Sequence, residues 1–393
     1  MLRSAEHRAG VWAFLVAVAF IHGIMSAAFA GRWAIIALGV PLVAQIEFKF
    51  SPFVRFCLAF GTAWAAVSLI ATPDLRGGVF ELFFLIVLVG VMGTASQLKS
   101  LGSALSGLCL GVGVSSLFCL SSIFGHTLVD QGSSRFAGLF YNSEVLTELA
   151  APLFVWAVVS RRWPMAACTV LPLFINGSRI SVLAAAIALV YGCRSLPWRY
   201  LASVALAGGA AVLAMALSRD IWTLGSFGER VVFWISTAMA ITPLGNGIGW
   251  YRASHLTQEF AHSDVLQAMA ELGIGVACFA VIPVVIFWRD RGENAERAAF
   301  LALCVEMAIS FPLHVPATAF LVALLAGYLV RDRGVVRVGT VDRRIHDGQD
   351  GGRASALSGV GSFASRSGRR AFFAGPAIAG IPSVGPARSS EAT

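Results

Sequence analysis

The sequence predicts an all-α, polytopic membrane protein: a bundle of about 12 transmembrane helices with one large loop on the outer side. Of its 393 residues, 57% are hydrophobic and only 13% charged, too apolar a balance for a water-soluble chain of this size. Apolar runs of span length recur from Val11 to Val330. Positive residues collect in alternate short loops, as the cytoplasmic sides of membrane proteins require.

The runs follow one another with little between them. The first, near Val11 to Ala30, is long and followed at once by further spans, so it is expected to stay as a membrane helix and not to be cleaved as a leader. The next four lie near Trp33 to Phe48, Phe53 to Ala71, Val79 to Ala95 and Leu101 to Phe124. A loop from Gly125 to Asn142 comes next, and its glycine, serine and asparagine mark irregular backbone. Four more runs follow near Val145 to Ser160, Trp163 to Ile175, Ile180 to Cys193 and Tyr200 to Leu217. Ser218 to Ala261, 44 residues, is the longest non-spanning stretch before the tail. Within it, Glu229 to Ile241 alternates polar and apolar residues as a short interfacial helix does, and Thr242-Pro243 ends it. The last three runs lie near Val265 to Trp288, Ala298 to Phe311 and Ala317 to Val330. The expected membrane domain is therefore residues 1–332, with the outer loop at about 218–261. Residues 333–393, rich in Gly, Ser, Ala and Arg and without periodicity, read as a disordered basic cytoplasmic tail.

With the amino terminus inside, the short inner loops hold Arg3, Arg8, Lys49, Arg55, Lys99, Arg161, Arg162, Arg194, Arg199, Arg289, Arg291 and Arg297. Seven arginines remain outside, against the usual bias, and ask for a reason. The net charge of +8 is no nucleic-acid signal, because much of it sits in the tail and the rest is scattered. The seven cysteines fall in apolar runs or at their ends without a CxxC pair, so they read as packing residues and imply neither disulfides nor a metal site.

The candidate chemistry lies in or beside the outer loops. Arg230 lies within the 44-residue segment, and His262 and Asp264 stand just beyond its end. An arginine fork binds phosphate oxygens in pairs, and a histidine exchanges protons near neutral pH, a pairing suited to a lipid-linked phosphate. Arg135 stands in the Gly125 to Asn142 loop, where the alternative is a headgroup anchor. Ser178 and Arg179 open the eighth run, where free backbone N–H groups favour phosphate; a capping serine with a snorkelling arginine is the alternative. For Arg230 the alternatives are a pair with Glu229 or contact with anionic lipid. His262 reads as a general base or as an interfacial capping residue, and Asp264 as a helix cap that also orients the imidazole. Gly245, Gly247 and Gly249 form a tight turn, since no strand precedes them to support a nucleotide-binding reading. Glu81, Glu148 and Glu306 should face the bundle interior. No DxD pair lies outside, so a metal-independent reaction without cofactor is expected.

The segment RVVFWISTAMAITPLGNGIGWYRASHLTQEFAHSDVLQAMAELGIG resembles the core of the O-antigen ligase and Wzy-type polysaccharide polymerase superfamily. That pattern runs Arg, a short amphipathic helix, Pro-Leu-x-Gly-x-Gly, then His before a helix carrying Glu-x-Gly. It is matched by Arg230, Pro243 to Gly249, His262 and Glu271-Leu272-Gly273. SSRFAGLFYNSE matches a site-lining Arg-x-x-Gly-x-x-x-x-Asn segment at Arg135 and Asn142, departing from Asn-Pro-Asn with Asn142-Ser143-Glu144. Asn176-Gly177-Ser178-Arg179 looks like the family's Thr/Asn-x-Ser-Arg signature, and FPLHVP at Phe311 to Pro316 like its closing segment.

The resemblance runs from Arg135 to Leu329. It implies a class C glycosyltransferase-like bundle in the bacterial inner membrane with its site facing the periplasm. The donor would be a glycan on undecaprenyl diphosphate. His262 would be the base, Arg135, Arg179 and Arg230 would hold the diphosphate, and Asn142, Ser178 and Asp264 would support them. Transfer would invert the anomeric configuration. The acceptor would be a lipid A core, another lipid-linked glycan or a protein, with membrane lipids as the other partners and no nucleic acid. The alternative expectation is a polysaccharide transporter or lipid flippase.

Overall fold

Helices begin where the sequence supplies both an apolar run and a group to satisfy the first backbone amides. Ser51 caps α3 (Pro52–Ser68) by accepting from Val54 N at 3.4 Å, and Pro52 supplies the fixed φ of a first helical turn. Asp74 does the same for α4 (Leu75–Gln97), accepting from Gly77 N at 2.9 Å. The computed structural model describes residues 2–19, 25–43, 48–123, 139–140, 143–176, 178–195, 225–254, 261–289 and 292–332, with a few isolated positions between. Among them the chain is all-helical, its only extended pairing a single bridge between Phe50 and Arg331. The described residues belong to one unit, Met1–Val335, and the tail reading at 333–393 lies outside the described residues.

Three helical segments among the described residues are long and apolar enough to cross a membrane: Leu75–Gln97, Gly102–Leu120 and Asp264–Trp288. Shorter apolar helices include α3, α7 (Trp163–Asn176), α8 (Arg179–Gly192) and α14 (Pro316–Val330). The expected run from Tyr200 to Leu217 lies largely outside the described residues. Large apolar side chains stand exposed along α3 and α4, among them Phe53, Phe56, Phe60, Phe80 and Phe83, the surface a lipid-embedded protein presents.

The first two helices differ from the hydropathy reading. α1 covers Leu2–Val18 and α2 Met25–Val43, so residues 31 and 32, between the two expected runs, lie inside a helix. Two side-chain effects account for the shift. Ala9, Trp12, Ala13 and Val16 on α1 are buried in the core, which draws the polar amino-terminal residues into the helix. Arg32, which the pattern places in a loop, is buried within α2; its Nη2 donates to the Leu139 carbonyl at 2.9 Å and its guanidinium lies over the Phe140 ring at 4.3 Å.

Helix pairs close on small residues, since apolar burial alone does little to drive association among lipid chains. α1 lies along α5 (Gly102–Ile123), where a Cβ at Gly107 would stand 2.2 Å from the Gly10 carbonyl oxygen. α14 is buried along nearly its whole length against α4, and a Cβ at Gly327 would meet the Met92 oxygen at 2.2 Å. α6 (Ser143–Val159) packs on α7 and α8, and α13 (Asn294–Ile309) packs on α6 and α8. Near the end of α14, Asp332 N donates to the Lys49 carbonyl at 2.6 Å and Arg331 pairs with Glu293 at 3.0 Å.

Candidate functional site

Two motifs that are 24 residues apart in the chain meet at the break in the long 264–288 segment. This segment is not one helix: α11 (Asp264–Leu272) gives way to a 3-10 turn at Gly273–Val276, and α12 (Ala277–Trp288) continues. Gly273 has φ +54, a conformation only glycine adopts cheaply, and the break frees backbone groups that lipid could not satisfy. The Pro243–Gly249 turn satisfies them. Ile274 N donates to the Pro243 carbonyl at 2.9 Å, Asn246 N to Ala270 O at 2.9 Å, and Gly247 N to Glu271 O at 3.0 Å. Asn246 Nδ2 spans the Ala240 and Ala270 carbonyls at 2.8 and 2.9 Å, and Trp64 Nε1 donates to Leu272 O at 2.9 Å. The three turn glycines have φ of +80, +96 and +79, and a Cβ on any of them would strike backbone atoms at 2.8 Å or less. Their role is backbone-to-backbone packing.

His262 sits at the mouth of α11 with φ +52, the left-handed region. For a residue with a Cβ this conformation is uncommon, and such residues cluster at functional sites. Its ring lies between Phe233, stacked at 6.3 Å, and Phe311, edge-on at 5.1 Å, while its carbonyl accepts from Trp234 Nε1 at 3.1 Å. Phe233 and Trp234 come from α9 (Gly225–Met239), the expected interfacial helix, which turns Phe233 and Thr237 inward and leaves Val232, Ile235 and Met239 exposed. Burial, helped by the nearby Arg230 guanidinium and opposed by Glu144, lowers the His262 pKa to about 4, so the ring is neutral across the physiological range.

Arg230, on the same helix, pairs with Glu144 of α6 at 3.3 Å. The approach of α9 to α6 thus brings together charges 86 residues apart, a partner that neither alternative for Arg230 names. Both partners remain partly exposed, and an arginine in such a pair keeps donors for an anion. One turn along α6, Glu148 is buried and accepts from the Ser310 hydroxyl, while its other oxygen has no partner among the described residues. Glu306 is wholly buried beside the Ser181 hydroxyl; Glu81 is only partly buried.

Asp264 does not orient the His262 ring. Ser263 is the N-cap, accepting from Leu266 N at 3.3 Å, and Asp264 turns instead to the closing segment. Its Oδ1 meets His314 Nδ1 at 2.7 Å and its Oδ2 accepts from Leu313 N at 2.8 Å. The left-handed backbone at His262 separates the directions of the two side chains, which explains the departure from the sequence reading. For His314, burial opposes charge, but the hydrogen bond to Asp264 and the Asp264, Glu81 and Glu271 carboxylates raise its pKa to about 9. The amide beyond it decides otherwise. Gln267 Oε1 is held by Ala261 N at 3.2 Å and Nε2 by Glu271 at 3.2 Å, so an N–H faces His314 Nε2 at 3.0 Å. That hydrogen-bond pattern needs a neutral ring with its proton on Nδ1.

Ser178 caps α8, accepting from Ser181 N at 3.5 Å, and Arg179 beside it is exposed. Arg135 and Asn142 lie outside the described residues, as do Arg219, His126 and His255. Arg252 is exposed on the short helix α10 (Trp250–Ala253). The site thus brings together His262 and Arg230, while Asp264 belongs to a neighbouring polar cluster. Among the described residues no group of three or more His, Cys, Asp or Glu side chains could hold a metal ion. No protein-family model and no curated protein matches the chain.

Sequence reasoning missed Glu144, Gln267 and the contact of His314. The signal for Gln267 was present: Asp264, Gln267 and Glu271 are spaced to line one helical face, an improbable stripe to bury without partners.

Proposed function

We propose that the chain is an integral membrane glycosyltransferase of the O-antigen ligase and polymerase type, moving a glycan from an undecaprenyl-diphosphate donor to an acceptor hydroxyl on the periplasmic side. The observation that carries this reading is His262: a neutral imidazole held in a strained left-handed turn beside the Arg230–Glu144 pair, at the end of a broken membrane segment. His262 takes the proton of the acceptor hydroxyl as its oxygen attacks the anomeric carbon. The bond to the diphosphate breaks on the opposite face and its electron pair leaves with the phosphate oxygen, so the configuration inverts. Arg230 and the exposed Arg179, with Arg135, neutralise that charge. Ser178 and Asn142 support the arginines, and Asp264 fixes the start of α11.

Purified protein supplied with an undecaprenyl-diphosphate glycan and candidate acceptors should form a new glycosidic product. His262→Ala should still bind donor but transfer about 100-fold more slowly or worse. Unchanged single-turnover transfer in that variant would remove His262 from the chemistry.

A second reading, a proton-coupled polysaccharide transporter, draws support from two carboxyl groups buried in the bundle, Glu148 and Glu306. Donor translocation in vesicles that survives His262→Ala but not Glu306→Gln would favour it.

A further inference from the structure

We infer that Gln267 is a positioning residue for His262: its amide, locked by the Asp264–His314 pair, holds the left-handed turn in which the imidazole stands. This rests on the glycosyl-transfer reading above.

A left-handed residue bearing a Cβ is strained and must be held by its surroundings. Three contacts act on the backbone after or at His262: Ser263 Oγ caps Leu266 N, Asp264 N donates to Ser310 O at 3.0 Å, and the His262 carbonyl accepts from Trp234. On the preceding side, among the described residues, the hold comes from Gln267, whose Oε1 takes the Ala261 N–H at 3.2 Å. Ala261 is fully buried, so without Gln267 that N–H loses its partner where water cannot replace it.

Gln267 cannot turn its amide over. Reversal would set an NH2 against the Ala261 N–H and an oxygen against the Glu271 carboxylate, two mismatches in a buried setting. His314 adds a third constraint through Nε2, and His314 is itself fixed by Asp264 at 2.7 Å. Asp264 is anchored in turn by Leu313 N, so the closing segment at Pro312–His314 sets the angle of a side chain nearly 50 residues earlier. Glu271 extends the chain to Tyr251 N at 3.1 Å. This amide network therefore links the glycine turn, the closing turn and the backbone beside the base.

The test is a double-mutant cycle on single-turnover transfer from undecaprenyl-diphosphate glycan. Gln267→Met keeps the volume and removes the amide. Its transfer rate should fall about 10- to 100-fold with donor affinity within about twofold, the cost of misplacing a reacting group by an ångström. In the His262→Ala background the same substitution should cost nothing further. Equal losses in both backgrounds would overturn the proposal and leave Gln267 structural. A fully active Gln267→Met would also overturn it. No effect of His262→Ala itself would sink the transfer reading instead.

Histidine-selective NMR gives a readout free of activity. The His262 ring signals, identified by their loss in His262→Ala, carry ring-current shifts from Phe233 and Phe311 and should move in Gln267→Met. Asp264→Asn, a milder change that loosens His314, should move them in the same direction. Unmoved signals in both folded variants would refute the positioning role.

Discussion

The acid limb of the pH profile should lie far below the ordinary histidine range. The base must be neutral to accept a proton, and burial together with Arg230 holds His262 at about 4 in the free protein. Because that pKa is depressed, the active neutral form is present above it and is lost only as pH falls through it. At pH 5.5 an unperturbed imidazole of pKa about 6.5 would be only about one-tenth neutral, whereas His262 would be almost wholly neutral. The kcat/KM at pH 5.5 should therefore match that at pH 7.5. Arg230→Gln removes one of the two depressing causes but not the larger, burial, so it should move the limb upward without reaching the ordinary value. Glu144→Gln should move it down. A bound diphosphate offsets the Arg230 charge, which places the limb of kcat above that of kcat/KM. Initial transfer rates across pH 3.5–8, with folding checked at each pH, give all four limbs. A tenfold loss of wild-type kcat/KM between pH 7.5 and 5.5 would refute the electrostatic account.

Other expectations follow from single positions. Arg179→Lys should insert normally but lose most transfer, because a diphosphate rewards paired directional donors; full turnover would return the residue to a lipid anchor. Gly247→Ala should lower stability by at least about 1–2 kcal/mol from handedness alone, with more from a Cβ set 2.5 Å from Thr72 N, measured as a lower unfolding midpoint in detergent. A cysteine at the exposed Arg252, on a background without native cysteines, should label from the periplasmic side; labelling from the cytoplasm alone would invert the proposed topology. Truncation after Thr340 should leave in vitro transfer unchanged, since the tail composition cannot bury a core, and lost transfer at unchanged expression would contradict this.

Elements set by one apolar run were legible in the sequence. The helix from Trp163 to Asn176 begins at the expected residue, and that from Pro316 to Val330 within one residue of expectation, because hydropathy and proline agree there. The first two helices were not, since their boundary depends on what α1 packs against and on Arg32 finding a carbonyl and a ring in another segment. The same division holds at the site. Local signals placed Ser178 at the opening of a helix and Gly245 to Gly249 in a turn. Partners chosen across the fold escaped: Arg230 reaches Glu144, and Asp264 reaches His314 instead of His262. Spacing along one helix cannot show which other helix will face it.

The glycine turn at residues 245–249 has a further consequence. Two of its three glycines join the chain to the helix break and to Thr72 through contacts between main chains, and the third seats on Gly77 and Gly78 in the same way. A mount made of peptide groups carries no side-chain identity, so attachment and recognition are separable here. Side-chain changes elsewhere leave these main-chain contacts in place, whereas a Cβ on Gly245, Gly247, Gly249 or Gly273 would meet main-chain atoms at 2.8 Å or less. For redesign, the turn and the buried Tyr251 just beyond it form a socket to be kept whole, because cutting within the turn removes the main-chain contacts that hold the helix break.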